Sequence, residues 1–232
     1  MKTAPLSEPL PARPRGRPRK TADERDEGNR RLELLSAAAR LFRHQGFAAT
    51  STRDIATAAG MQAGSPFYHF ENKQALLAAV MQEGMHRALL RQGTALKVLD
   101  AEAPASERFQ ALVRHHFEVL LGPHSDFVPV MLYEWRALDA AQKAEINALK
   151  DRYEAAWVPV LQQLHTDGRL AGDPRLVRLM VFGAMNWSVQ WYQSPDPTGT
   201  AASREWHDRP RHRATLDELT ATALQLFLKT PV

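Results

Sequence analysis

The chain has no cysteine among its 232 residues, which excludes a disulfide framework, a thiolate nucleophile and every cysteine-based zinc site. It also lacks an apolar run long enough for a bilayer: the longest, Leu176 to Tyr192, is broken by Arg178, Asn186 and Gln190. Apolar–polar alternation of the strand type is missing, as are internal repeats and a glycine-rich phosphate loop. The beginning is rich in proline and arginine without an apolar core, so it does not resemble a secretory signal. These absences predict a cytoplasmic protein with no membrane partner. No catalytic constellation is visible either, because carboxylates scatter over helix surfaces and serines fall at caps or loops, so no enzyme is expected. His115 and His116 are adjacent and therefore point to different helix faces; they are expected to be partly exposed, with no metal site and no cofactor.

What is present is helical almost throughout. Hydrophobic content of 44% and charged content of 24% are ordinary for a folded chain, and the length suits a small domain beside a larger one. A net charge of +4 permits a polyanionic partner. Residues 1–27 carry five prolines and no helical period, and predict a disordered basic arm. Leu34, Leu35, Ala38, Ala39, Leu41 and Phe42 give a first helix over Asn29 to Gln45, stopped by Gly46. Ser51 with Asp54 caps a short helix ending at Gly60, and a shorter one follows over about Ala63 to His69. A long helix leaves Asn72 and runs into the nineties. Further helices are expected from Pro104 to Gly122, Phe127 to Leu138, Ala141 to His165 with a kink at Pro159, Asp173 onward, and Thr215 onward. The fold class is thus all-α, with about nine helices. The domains are 28–73, a three-helix unit, and 74–232, a larger helical unit interrupted by a loop at 194–214. That loop, with Arg204, Arg209, Arg211 and Arg213, reads either as a solvated surface loop or as a second nucleic-acid contact.

Phe47 to Lys73 carries the chemistry. A helix entering a major groove about 12 Å wide must present small or polar side chains, with neighbours that hold phosphates. Ala63, Gly64, Ser65 and Pro66 allow close approach; Phe67 can press on a thymine methyl, and Tyr68 and His69 can donate to phosphates. Lys73 adds charge at a helix start. Thr52 and Arg53 can reach the opposite backbone or a guanine edge. The other reading makes Phe67, Tyr68 and Phe70 core aromatics of a three-helix bundle.

Gly46-Phe47, Thr50-Ser51, Arg53-Asp54-Ile55-Ala56, Ala59-Gly60, Tyr68-His69-Phe70 and Asn72-Lys73 together resemble the DNA-binding domain of the TetR family of transcriptional regulators, over about residues 29 to 77. The resemblance implies DNA-contact roles for Thr52, Arg53, Ser65, Phe67, Tyr68, His69 and Lys73, with Gly64 at the groove. Ala63 and Gly64 depart from the larger polar groups of many relatives, which shifts base reading toward Arg53, Ser65 and shape. It also implies a homodimer through the last two helices, recognition helices about 34 to 36 Å apart, and a helix from Asn72 acting as a lever between ligand and DNA.

Glu134-Trp135-Arg136, Asp151-Arg152-Tyr153-Glu154 and Asn186 to Tyr192 resemble the branch of that family that responds to acyl-CoA thioesters in lipid and steroid catabolism. Trp135, Trp157, Trp187 and Trp191 are candidates to wall an apolar cavity, Asn186 and Gln190 to orient a carbonyl, and Arg136 or Arg152 to pair with coenzyme phosphates. The other reading, of equal weight, makes the tryptophans ordinary core and dimer residues and the arginines members of surface ion pairs. In the arm, Arg15-Gly16-Arg17-Pro18 is the core of an AT-hook, which lays two arginines along a narrow A·T minor groove. Together the resemblances imply a ligand-responsive, DNA-binding repressor released from its operator by a small apolar or acyl-CoA-type effector; the alternative is an architectural A·T-binding protein without an effector.

Overall fold

The computed structural model describes residues 22–62, 66–123, 125–193 and 212–229. Helix α1 spans Ala22–Gln45, α2 Thr52–Ala58, α3 Pro66–His69 and α4 Lys73–Lys97. They are followed by α5 (Ala105–Leu121), α6 (Phe127–Glu134) with a 3-10 turn at Trp135–Ala137, α7 (Ala140–Ala155), α8 (Trp157–Thr166), α9 (Pro174–Trp187) and α10 (Leu216–Phe227).

The helix ends lie where side-chain oxygens can take up orphan backbone N–H groups. Ser51 and Asp54, Asp139 and Gln142, and Thr215 and Glu218 form reciprocal capping boxes, while Asn72 and Asp173 each accept from the first turn. The bonds from Ser51 hold the Asp54 carboxyl below its ordinary range. Gly46 and Gly60 end their helices at φ of 85° and 68°, a region costly for a residue with a Cβ.

Three expectations need correction. Residues 22–27 belong to α1 rather than to a disordered arm. Residues 1–21, including Arg15 and Arg17, lie outside the described residues. The helix expected over Ala141 to His165 is two helices that break at Ala156. Pro159 has no N–H for the Ala155 carbonyl and its ring collides with that carbonyl, so it sits in the first turn of α8 instead. Finally, a short parallel pair forms where no strand is expected, with Tyr192 opposite His212 and Gln193 opposite Arg213. It joins the two ends of the 194–211 stretch, whose own residues are not described.

Two hydrophobic cores result. The first runs without a break from Leu34, Leu35, Phe42 and Ile55 of the N-terminal helices, through Leu76, Leu77, Val80 and Met81 of α4, to Val130, Ile146 and Tyr153. The second gathers Phe109, Leu112, Trp157, Leu161, Val181 and Met185 from α5, α8 and α9 with Ala223 of α10. Phe182 packs against both. Each fully buried Leu or Phe contributes about 1.5–3 kcal/mol.

Helices α4 and α6 touch at Gly84, where an added Cβ would sit 2.8 Å from the Phe127 Cβ and 3.2 Å from its carbonyl carbon. Alanine gains about 1 kcal/mol of helix propensity over glycine, but overpacking against backbone costs about 1–3 kcal/mol. Gly84→Ala should therefore lower the thermal midpoint and Gly84→Val should lower it further. Gly93→Ala, with nothing within 4 Å of the new methyl, should leave the midpoint unchanged or raise it.

Candidate functional site

The N-terminal face and an internal cavity are the two places where chemistry gathers. On the face, Tyr68 is 89% exposed, Arg53 is exposed, and Thr52 and His69 are half-buried. Phe70 is buried under the Arg31 guanidinium, 5.2 Å from the ring centre, so it is a core residue. Gly64 and Ser65 lie outside the described residues, and the Phe67 side chain is not described. Lys73 is engaged inward: its Nζ donates to the carbonyls of Phe47 and Thr50, both at 2.8 Å, and lies 4.4 Å from the Phe47 ring centre. Its ammonium thereby staples the start of α4 to the turn between α1 and α2. An open groove of about 400 Å³ runs between α1 and α2, past Leu32, Glu33, Arg40 and Ala58. It is wider than the internal cavity but shallow, and it lacks buried polar groups.

The cavity, about 120 Å³, lies among α4, α5, α6, α7 and α9. Met85, Val119, Val128, Met131 and Phe182 supply apolar wall, while His116, Tyr153 and Asn186 supply polar wall. These three are bonded in series. The His116 Nδ1 is 3.1 Å from the Tyr153 hydroxyl, and its Nε2 is 3.1 Å from Asn186 Oδ1. With the phenol donating to Nδ1, Nε2–H donates to Asn186, which fixes the neutral tautomer. Burial drives the His116 pKa down to about 4, against the Asn186 bond, which raises it. Burial also raises the Tyr153 pKa. His115, bonded to the Ala88 carbonyl at 3.0 Å, is likewise lowered by burial.

Both histidines are thus buried rather than partly exposed. Adjacent residues do face different directions on α5, but α4 covers one side and α7 with α9 covers the other. Because the folded pKa of His116 lies below its unfolded value of about 6.5, the unfolded chain binds the extra proton first. The stability involved is present above pH 6.5 and is lost as pH falls toward 4, amounting to about 2 to 3 kcal/mol. His116→Gln should flatten the fall in chemical-denaturation stability between pH 7 and pH 4 by about that amount.

Of the residues expected to line a ligand site, the cavity brings in only Asn186. Trp157 is fully buried in the second core, Trp187 is 56% exposed, Trp135 lies beneath the Lys150 ammonium at 5.3 Å, and Trp191 is half-buried beyond α9. Gln190 donates instead to the Tyr133 hydroxyl at 3.2 Å, because a 3-10 turn at Ser188–Gln190 rotates it away from the face of Asn186. Arg136 and Arg152 are exposed. Lys150 and Glu154 border the cavity, and Glu154 is paired with Arg178 of α9. Among the described residues no cluster of histidine, aspartate and glutamate is arranged to hold a metal ion, and no helix is long and apolar enough to cross a membrane.

Cavity and face are mechanically joined. Helix α4 begins at the Lys73 staple and lines the cavity with Met85 and Ala88. Helix α6 lines it with Val128 and Met131 and is fastened to the N-terminal bundle at both ends. At one end Arg43 Nη1 donates to Asp126 at 3.0 Å and to Ser125 at 3.3 Å; at the other the Phe47 N–H donates to Glu134 at 3.1 Å. Along α9, Leu176, Leu179, Met180 and Trp187 form an exposed apolar stripe continued by Gly183 and Ala184, and Leu226 of α10 is also exposed.

A family model described as bacterial regulatory proteins, tetR family, matches residues 34–80, and one described as tetracyclin repressor-like, C-terminal domain, matches residues 102–209. The HTH-type transcriptional repressor KstR2 of Mycobacterium tuberculosis (strain ATCC 25618 / H37Rv) is 30% identical over 174 residues, spanning 73% of this chain and 84% of the relative. The solved structure of superantigen PfiT is 34% identical with a TM-score of 0.67, over 87% of this chain and 97% of its own. That of AibR in complex with isovaleryl coenzyme A and operator DNA is 25% identical with a TM-score of 0.68, over 85% and 97%.

Proposed function

The chain belongs to the tetR family of bacterial regulatory proteins and is a DNA-binding transcriptional regulator; we propose that it is a cytoplasmic repressor released from its operator by an apolar acyl-CoA thioester. The observation that carries this reading is the course of α4, which runs unbroken from the DNA-facing bundle to the cavity wall at Met85 and Ala88. Residues 28–73 read DNA through Arg53, Thr52, Tyr68 and His69, with Gly64, Ser65 and Phe67 between them. Residues 74–232 hold the effector and a second copy of the chain. The α9 stripe supports a homodimer, since Leu176, Leu179, Met180 and Trp187 lie on one face and are left uncovered by the protomer. An acyl chain entering the cavity would press on α4 and α6 together and change the separation of two recognition helices. A coupling of about 1–3 kcal/mol changes DNA affinity roughly 5- to 150-fold. AibR, whose structure contains isovaleryl coenzyme A and operator DNA together, supports the effector class. Arg136 and Arg152, exposed outside the cavity, are where coenzyme phosphates would meet positive charge. No catalytic step belongs to this reading.

The test is release from DNA. A duplex selected by the full-length protein from a random pool is titrated with short, medium and long acyl-CoA thioesters, with free coenzyme A and free fatty acid as controls. A fall in affinity of at least about fivefold with one thioester class, and none with the controls, is expected. DNA affinity unmoved by every thioester would remove the effector assignment. An architectural protein would show equal affinity for selected and random duplex.

A further inference from the structure

At about 120 Å³ the cavity is smaller than the roughly 300–1,000 Å³ of ordinary ligand sites. Its wall contains one side chain that belongs to both cores, Phe182. On the cavity side the Phe182 ring stands edge-on to His116, with centroids 5.1 Å apart, and 6.4 Å from Tyr153. On the other side it lies 4.9 Å from the Trp157 ring, which is fully buried and does not line the cavity. Trp157 Nε1 is the buried side-chain polar atom with no hydrogen-bond partner among the described residues. An indole N–H is a donor only, and leaving it unpaired in a dry interior forfeits the hydrogen bond it would make in water. Native cores rarely tolerate that without a reason. In the cavity wall, by contrast, His116 uses both ring nitrogens, one toward Tyr153 and one toward Asn186.

We propose that the cavity is the outer half of a longer ligand site, that the Phe182 ring is the partition, and that the inner half ends at the Trp157 N–H, which binds a hydrogen-bond acceptor on the far end of the ligand. The preferred effector then carries an oxygen, such as a carbonyl, at the end remote from its thioester, rather than a plain hydrocarbon tail. Phe182 is a suitable partition because it hangs from α9 with the His116 ring on one side and the Trp157 ring on the other, while His116 itself meets Trp157 only edge-on at 6.2 Å. The ligand class rests on the acyl-CoA reading, whereas the partition and the indole donor do not.

The experiment uses full-length protein labelled with 15N-tryptophan, in which the Trp157 indole resonance is identified by its loss in Trp157→Phe. Cyclohexanone is titrated against methylenecyclohexane, the hydrocarbon of the same shape, and binding of a plain and an oxo-tailed acyl-CoA of equal length is measured alongside. The Trp157 N–H signal should move downfield saturably with the ketone and not with the hydrocarbon. Phe182→Ala, with Phe182→Leu as the milder variant, should lower the half-saturating ketone concentration about tenfold. Trp157→Phe should bring the ketone down to the affinity of the hydrocarbon. A Trp157 signal that stays fixed throughout the ketone titration overturns the proposal, whether the ketone stops at Phe182 or never enters. Acyl-CoA binding with a fixed Trp157 signal sinks the partition and the indole donor and leaves the effector class standing; a moving signal without any acyl-CoA binding sinks the effector class alone.

Discussion

The double variant Leu179→Glu, Met180→Glu should sediment as a monomer at micromolar concentration and bind a two-half-site operator about 10²- to 10⁴-fold more weakly than the parent, the factor that joining two binding events contributes. Both side chains point away from the protomer, at 61% and 67% exposure, so their replacement leaves each chain's own cores intact. In a dimer they would meet their own copies across a two-fold axis. Two carboxylates per subunit would then be taken out of water, with only Arg175, one turn before position 179, placed to offset part of a cost of several kcal/mol each. Helical content should be unchanged by circular dichroism, and affinity for a single half-site should change little. A variant that remains dimeric, or that keeps two-half-site affinity within tenfold, would show that α9 is not the contact.

Lys73→Met should lower the stability of the protein by about 3 to 4 kcal/mol. Each of the two bonds from its ammonium to a backbone carbonyl is of the charge-assisted kind, worth about 1.5–3 kcal/mol, with some loss because the side chain is only half-buried. Contact with the Phe47 ring adds about 0.5–1 kcal/mol. For a protein of this size that is a fall in thermal midpoint on the order of 6 to 15 °C. The effect on DNA separates this role from a phosphate contact. If Lys73 acts by holding the turn, affinity falls on all sequences while the slope of log affinity against log salt stays as it was. Were its ammonium neutralising a phosphate, the slope would shrink by about one.

What the sequence reveals here depends on range. Ser51 with Asp54, Thr215 with Glu218 and Asp173 before Pro174 announce their helix starts because cap and helix are neighbours in the chain. Pro159 announces a defect, and only its consequence, a break at Ala156 rather than a kink, is left to the fold. The His116–Tyr153–Asn186 series joins partners 37 and 70 positions apart, and no local pattern marks it. A histidine beside a histidine on an amphipathic helix looks like surface until the covering helices are known. The tryptophans mislead for a related reason: periodicity says that a side is covered, not by what. Helix α9 carries three working faces at once. Val177, Val181 and Met185 enter the core, Phe182 and Asn186 border the cavity, and Leu176, Leu179 and Met180 await a partner. Only the first set and the third are implied by apolarity, and nothing in the period tells them apart. The face of Arg53 and Tyr68 is recognisable because exposed aromatic and basic residues beside a capped turn have few other uses.

The first core passes from Leu34 and Phe42 through Leu77 and Met81 to Ile146 and Tyr153 without a seam near residue 73. For anyone wishing to exchange reading heads between regulators, the molecule is consequently not modular at its apparent boundary. A chimera joined at residue 73 would inherit foreign neighbours for Asp126 and Glu134, lose the grip of Arg43 and the Phe47 amide, and set new side chains against Val80 and Met81. A transplant that keeps its switch must carry α6 and the first half of α4 along with the head, since sensing and reading are cut from one piece of hydrophobic interior.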